Sequence, residues 1–284
     1  MKSIWVLAGM TFREAVRRRI ALTGLILGIL FLIVFSVGSH MISIEITRET
    51  IAEGGATYRN VMRTEMSNFL LMAGLYAVTF LSVAMGALLG ADTLAGEINS
   101  GSIQTIVTKP VRRSDVVFGK WLGFAALLGL YAVLMSGGVV LIVFFQSDYL
   151  PRNLLAGLSL IYLESLLVMT ISLAGSSAMP ALATGGMVFG LYGLAFLGGW
   201  IEQIGSLANI PAAVKIGIVT SLVVPTEALW RRAAYEMQTP LASTLGLSPF
   251  GAFSVPSLLM VLYAILYLVI VFVVAVSTFN HRDI

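Results

Sequence analysis

Six stretches of this chain are each about 20 residues or longer and nearly unbroken in apolar side chains, the length that carries an α-helix across a bilayer. They cover 20–41, 69–91, 116–145, 154–179, 181–201 and 253–279. In hydrocarbon a backbone must satisfy its own polar groups, and a helix does so within one segment. The pattern therefore predicts an all-α integral membrane protein with about six transmembrane helices. Charge agrees: only 11% of the 284 residues are Asp, Glu, Lys or Arg, against about 25% in soluble domains. One membrane domain spans 1–284, with no linker or low-complexity tail in it.

Several functions are excluded early. The formal net charge of +3 is too small, and too dispersed, to suggest nucleic acid. There is no cysteine and there are two histidines, His40 and His281, so thiolate and multi-histidine metal sites are absent from the sequence. ATP hydrolysis needs a phosphate-cradling G-x-x-x-x-G-K-[ST] loop. The nearest approach, Gly119-Lys120, is followed by Trp121 and has Ser114 where the first glycine should stand. The chain is therefore expected to bind no cofactor and not to be an enzyme by itself.

Basic residues orient the spans, since Lys and Arg concentrate on the cytoplasmic side. Ten of the 17 fall on one side if six helices alternate: Lys2, Arg13, Arg17, Arg18, Arg19, Lys109, Arg112, Arg113, Lys120 and Arg282. Both termini are expected to be cytoplasmic, with the protein in the inner membrane of the cell. Residues 1–19 form a basic flank in which Ile4, Trp5, Ala8, Phe12, Ala15 and Val16 share a helical face, although Leu7 and Met10 spoil it. Such a helix can lie in the interface with its aromatic residues toward the acyl chains. The apolar run behind it is too long for a cleaved signal, so a retained first span is expected.

The fourth and fifth runs meet at Met179-Pro180, where the residue before proline avoids helical geometry. A tight turn is expected there, with one of these two runs re-entrant as the alternative. Residues 202–252, punctuated by Pro211, Pro225, Pro240 and Pro249, read as an outer-face region, either an ordinary loop or a cap dipping into the membrane. Thr226-Glu227 is expected to cap a short helix running to about Met237.

The 92–115 connection is the most informative stretch. It runs from Asp92 through Glu97 to Gly101-Ser102, then Pro110 to Arg113, with Lys120 in the helix beyond. Physically this is a short polar helix ended by Gly101, another apolar turn and a proline stop. The pattern Glu97-x-x-x-Gly101-Ser102, Pro110-x-x-Arg113 and Gly119-Lys120 resembles the type-2 ABC-transporter permeases. It is most similar to the branch serving nitrous-oxide-reductase and multi-copper-enzyme maturation, whose loop reads E-x-x-x-G-T, P-x-x-R and G-K. Ser102 departs from that threonine, and Val224-Pro225-Thr226 has valine where relatives carry asparagine in an outer loop.

The resemblance implies a permease subunit, an N-terminal elbow helix and a cytoplasmic coupling helix seated in a separate ATP-binding subunit. It further implies a permease dimer, export as the direction, and ATP with Mg on the partner. Asp92, Glu97, Gly101, Ser102, Pro110, Arg113 and Lys120 are the expected coupling residues. Arg112, Arg113 and Lys120 have a plainer reading as charges meeting lipid phosphates. Glu164, midway along the fourth span, is either a pathway contact or a packing residue hydrogen-bonded to Tyr162 or Thr170. Four G-x-x-x-G pairs (Gly24/Gly28, Gly86/Gly90, Gly119/Gly123 and Gly186/Gly190) allow close helix approach, with the second and fifth helices the candidates for a dimer seam. A self-contained secondary transporter or channel is the alternative. It would show an internal repeat and several intramembrane charges. A membrane-embedded enzyme would need a polar cluster at the surface that the sequence does not display.

Overall fold

A computed structural model describes residues 2–17, 19–53, 55–99, 112–245, 250 and 254–281. Its helices are α1 (Lys2–Arg17), α2 (Arg19–Glu53), α3 (Ala56–Ala91), α4 (Thr93–Asn99), α5 (Arg113–Ser147) and α6 (Leu154–Ala178). They continue as α7 (Ala181–Leu207), α8 (Pro211–Val223), α9 (Thr226–Met237), α10 (Pro240–Leu245) and α11 (Leu258–His281). There are no strands among the described residues. Six helices, α2, α3, α5, α6, α7 and α11, are long and apolar enough to cross a membrane.

The first three spans outrun their apolar cores. Helices α2, α3 and α5 contain 35, 36 and 35 residues, or about 50 Å each at 1.5 Å per residue, against roughly 30 Å of hydrocarbon. The polar stretch between the first two apolar runs continues both helices and breaks at Gly55, which is extended at φ −66°, ψ 170°.

Helix α6 is the hub, touching α3, α4, α5, α7, α9 and α11. Its approach to α3 depends on missing side chains. A Cβ on Gly86 would lie 3.0 Å from the Ser165 carbonyl, and one on Gly90 would lie 2.6 Å from Ser172 Cβ and 2.9 Å from Leu173 N. The Ser172 hydroxyl bridges the seam by donating to Ala87 O at 2.6 Å. Met179 is extended and Pro180 precedes α7, so the expected turn is present. Both α6 and α7 are full-length spans.

The re-entrant element lies elsewhere. After Leu207 the chain turns through Asn209 (φ 54°) and α8 runs back along α7, Gly205 facing Ala213 and Gly198 facing Thr220. Leu207 lies nine residues beyond Gly198 in α7, so α8 descends roughly 13 Å. A bend of 106° between α8 and α9 follows, at Val224-Pro225. Helix α9 then climbs back, with Met237 against Gly157 near the start of α6. Just beyond it the Thr239 hydroxyl donates to Glu65 Oε2 at 2.7 Å. The expected capping by Thr226 fails. Pro225 holds the N-cap position with no side-chain bond, and Thr226 Oγ1 is buried with no partner among the described residues.

The opposite end of the bundle gathers α1, α4, the start of α5 and the end of α11. Helix α1 lies on α5, where a Cβ on Gly119 would come within 2.6 Å of Leu7 Cβ, and one on Gly123 within 2.8 Å of Ala8 O. Ala8, Thr11 and Ala15 form its buried face, while Trp5, Val6, Met10 and Val16 point away from the bundle. The sequence reading of a single apolar face therefore needs correction. Leu7 belongs to the inner face, and the helix has a second apolar face.

Candidate functional site

Two places in the bundle concentrate the residue types from which function can be argued. The first surrounds α4. Helix α3 stops at Asp92, whose carbonyl accepts the Gly96 N–H at 3.0 Å, so the chain enters the next helix without a linker. The Asp92 carboxylate folds over that turn, since a Cβ on Gly96 would sit 2.7 Å from Asp92 Oδ1. Thr93, Leu94 and Ala95 are buried. Leu94 shares an apolar cluster with Val117 of α5, Leu173 of α6 and Phe279 of α11. The first turn of α4 is thus seated in an apolar cluster to which three membrane helices contribute.

The other expected coupling residues divide. Glu97 lies in α4. Gly101, Ser102 and Pro110 lie outside the described residues. Arg113 opens α5 and its Nη1 donates to Asn280 O at 3.3 Å, tying the third span to the last. Lys120 is only 6% exposed, so it is packed inside the bundle and not displayed at its surface. A cation so placed must be partnered or bordered by water, because an isolated buried charge is costly.

The second place is a set of carboxylates in the middle of the bundle. Glu164 of α6 is fully buried, and neither oxygen has a hydrogen-bond partner among the described residues. The partners suggested for it are engaged elsewhere. Tyr162 donates to Ala125 O at 2.8 Å, and Thr170 donates to Leu166 O at 2.6 Å while accepting from Trp121 Nε1 at 2.9 Å. Helical geometry explains this, since residues two or six apart do not share a face with Glu164.

Helices α7 and α9 bring two more carboxylates and a cation. Arg231 grips Glu202 with both terminal nitrogens, Nη1 to Oε1 at 2.6 Å and Nη2 to Oε2 at 2.9 Å. The Ser254 hydroxyl donates to the same Oε1 at 2.8 Å, and Arg231 Nη2 also reaches Ser221 Oγ at 3.2 Å. One turn before Arg231 stands Glu227, packed onto Gly199 so closely that no side chain fits at that glycine. Its Oε1 has no hydrogen-bond partner among the described residues. The descent of α8 is what places these groups: only because α9 begins inside the bundle does its first turn reach the level of Glu164.

Of these groups, sequence reasoning singled out only Glu164. Glu227 is read there as a capping residue, and Glu202 and Arg231 fall in the 202–252 outer-face region without a role of their own. The available signal was the spacing Glu227-x-x-x-Arg231, which puts opposite charges on one face of a helix flanked by apolar sequence. Among the described residues no group of three or more His, Cys, Asp or Glu is arranged to hold a metal.

An open groove of about 700 Å³ lies between α2, α3 and α7. Leu27, Phe31, Tyr76, Phe80, Tyr192 and Phe196 line it. Tyr76 accepts from Trp200 Nε1 at 3.2 Å and packs against Trp230 with the rings tilted at 52° and 4.8 Å between centroids.

Comparison with curated proteins finds no match at a significant level. A family profile, by contrast, aligns over residues 5–284, from α1 through the last span, and its description is ABC-2 family transporter protein. That is nearly the whole chain, and the six-span helical architecture agrees with it. The protein belongs to the ABC-2 transporter family, whose members are the membrane-embedded permease subunits of ABC transporters and not their ATPases.

Proposed function

We propose that the chain is the permease of an ATP-driven exporter, working as a homodimer in the inner membrane with two separate ATP-binding subunits beneath it. Both termini face the cytoplasm in this reading. Helix α1 is the elbow that rests in the interface, its outward Trp5 and Met10 against lipid, and α4 is the coupling helix. The substrate pathway passes Glu164. On its loop pattern we read the chain with the nitrous-oxide-reductase and multi-copper-enzyme maturation branch.

The observation that carries the proposal is the seat of α4. A push on Glu97 and the residues after it is delivered directly to Leu94, and through Leu94 to α5, α6 and α11 at once. Shifting one small rigid element against several spans is how a closing ATPase dimer can bias a two-state membrane domain. The exposed glycines on α7 support a seam between two copies. Nothing lies within 4 Å of a Cβ built at Gly186 or Gly190, whereas the other three glycine pairs are occupied within the chain.

The test is co-expression with candidate ATP-binding-cassette subunits, followed by co-purification and transport in proteoliposomes. Leu94→Ala is expected to retain the ATPase subunit and its ATP hydrolysis while transport falls several-fold, because the link and not the docking surface is loosened. If no ATPase subunit co-purifies with the unsubstituted chain, and the chain moves solute without ATP, the secondary-transporter reading replaces this one.

A further inference from the structure

Helix α1 leaves a furrow where it lies on the bundle. Gly119 and Gly123 of α5 let it approach closely along one line, against Leu7 and Ala8. Beside that line the residues are Gly9 of α1 with Ala125 and Ala126 of α5, whose side chains are too short to close the gap. Nothing lies within 4 Å of a Cβ built at Gly9. The result is a groove of about 620 Å³, walled by Trp5 and Phe12 of α1, Trp121 of α5 and Tyr162 of α6. Two of the walls are held in place by the bundle itself, for Trp121 donates to Thr170 and Tyr162 donates to Ala125 O.

Positive charge stands at the rim. Arg13 lines this groove and also a second hollow, which it shares with Met10, Glu14 and Arg17. Arg13 and Arg17 are exposed and have no ion-pair partner among the described residues, whereas Glu14 is engaged. Two uncommitted guanidiniums therefore border an aromatic groove.

These features select one kind of occupant. The inner wall belongs to α5 and α6, both long and apolar enough to cross a membrane, so in a bilayer the groove opens among acyl chains. Aromatic walls over a floor of small residues bury hydrocarbon well. A guanidinium presents a planar fork of donors that matches phosphate oxygens. A zwitterionic lipid would bring an ammonium to the same rim, where two cations oppose it. A lipid with a net negative headgroup brings the phosphate without that cost.

We propose that this groove holds one anionic phospholipid, an acyl chain between its aromatic walls and the phosphate at Arg13 and Arg17. The lipid then joins α1 to α5 and α6 alongside their direct packing. The inference stands whether or not α4 meets an ATPase.

Brominated lipids quench tryptophan on contact, and Trp5 and Trp121 both line the groove. Trp200 and Trp230 do not line it, and they supply the background signal. The full chain is reconstituted in vesicles of phosphatidylcholine into which brominated phosphatidylglycerol or brominated phosphatidylcholine is introduced in steps. Quenching by the phosphatidylglycerol should saturate, at a fraction at least about tenfold below that needed with the phosphatidylcholine. Arg13→Gln with Arg17→Gln, both at exposed positions, should bring the two lipids to parity. Gly9→Leu fills the groove at a position with open space and replaces glycine by a better helix former. It should keep the parent's unfolding temperature and lose the saturable quenching. Equal quenching by the two lipids on the unsubstituted chain would overturn the proposal, and that comparison needs no variant to fold. Undiminished phosphatidylglycerol quenching in folded Gly9→Leu would overturn it too, by moving the lipid out of this groove. Relief of quenching by added inorganic phosphate would make the rim a site for a free anion and refute the lipid assignment.

Discussion

Breaking the Arg231–Glu202 pair should be among the most damaging single changes available in this protein. Both side chains are nearly fully buried, at 1% and 5% exposure. Glu202 accepts hydrogen bonds from the guanidinium Nη2 and from Ser254, with Arg231 Nη1 in ion-pair contact at Oε1. Arg231→Met leaves a buried carboxylate with only the serine, and Glu202→Gln turns amide hydrogens toward a guanidinium that cannot accept them. Either loss exposes the desolvation cost of the remaining partner, about 3–5 kcal/mol. At roughly 2–4 °C per kcal/mol for a chain of this size class, each variant should unfold about 6–20 °C below the parent. The pair also pins α9 to α7 and, through Ser254, to the chain entering α11, so the penalty should appear as a looser re-entrant hairpin. In the double variant neither charge is stranded, and its cost should fall short of the summed single costs by about 1–3 kcal/mol. Thermal unfolding of all four proteins in nanodiscs, followed by tryptophan fluorescence, measures this, because Trp200 and Trp230 flank the site. Additive single effects would refute the reasoning, since they would mean that the two residues do not share one buried interaction.

Other consequences can be checked separately. Gly90→Ala should lower the unfolding temperature and split α3 from α6, because the new methyl meets backbone at Leu173 N and Met169 O that cannot move aside. Gly186→Ala and Gly190→Ala, with nothing within 4 Å, should leave the isolated chain as stable as before, and a shift in dimer content on native gels would place the seam there. Trp121→Phe removes the indole bond to Thr170 at 2.9 Å and should cost about 1 kcal/mol in unfolding measurements. Burial, with the Glu65 carboxylate adding to it, pushes the Tyr149 hydroxyl up to about 12. A raised value favours the neutral phenol, so its contribution is complete below pH 10 and is lost as pH rises toward 12. Difference absorbance of Tyr149→Phe against the parent should show no phenolate from this residue at pH 10.

The sequence made some features legible and concealed others for identifiable reasons. Apolar length alone defined six spans, because lipid leaves a 20-residue apolar run few alternatives. Met179-Pro180 was readable as a turn because proline constrains its neighbour locally. Of the 92–115 pattern, the short helix Thr93–Asn99 was readable because its polar residues interrupt apolar sequence. The carboxylate cluster was not readable, since it assembles Glu164 with Glu202, Glu227 and Arg231 across three helices. Its assembly depends on the descent of α8, and a 13-residue apolar helix cannot be distinguished by composition from a surface loop with an apolar face. The double-sided character of α1 was concealed similarly. Helical periodicity assigns one apolar face toward a protein core, whereas a helix lying between a bundle and lipid has two.

The central claim is that a separate ATP-driven subunit moves this protein through α4, and the absence of cysteine from the sequence makes a direct test clean. Glu97→Cys introduces the sole thiol of the chain, and a short bifunctional thiol–amine cross-linker can then be applied to membranes containing the permease with its ATP-binding subunit. The account predicts a cross-link to that subunit whose yield changes when ATP is added. Labelling of the same thiol by a membrane-impermeant reagent from the outer face of intact cells, with no cross-link formed, would contradict it.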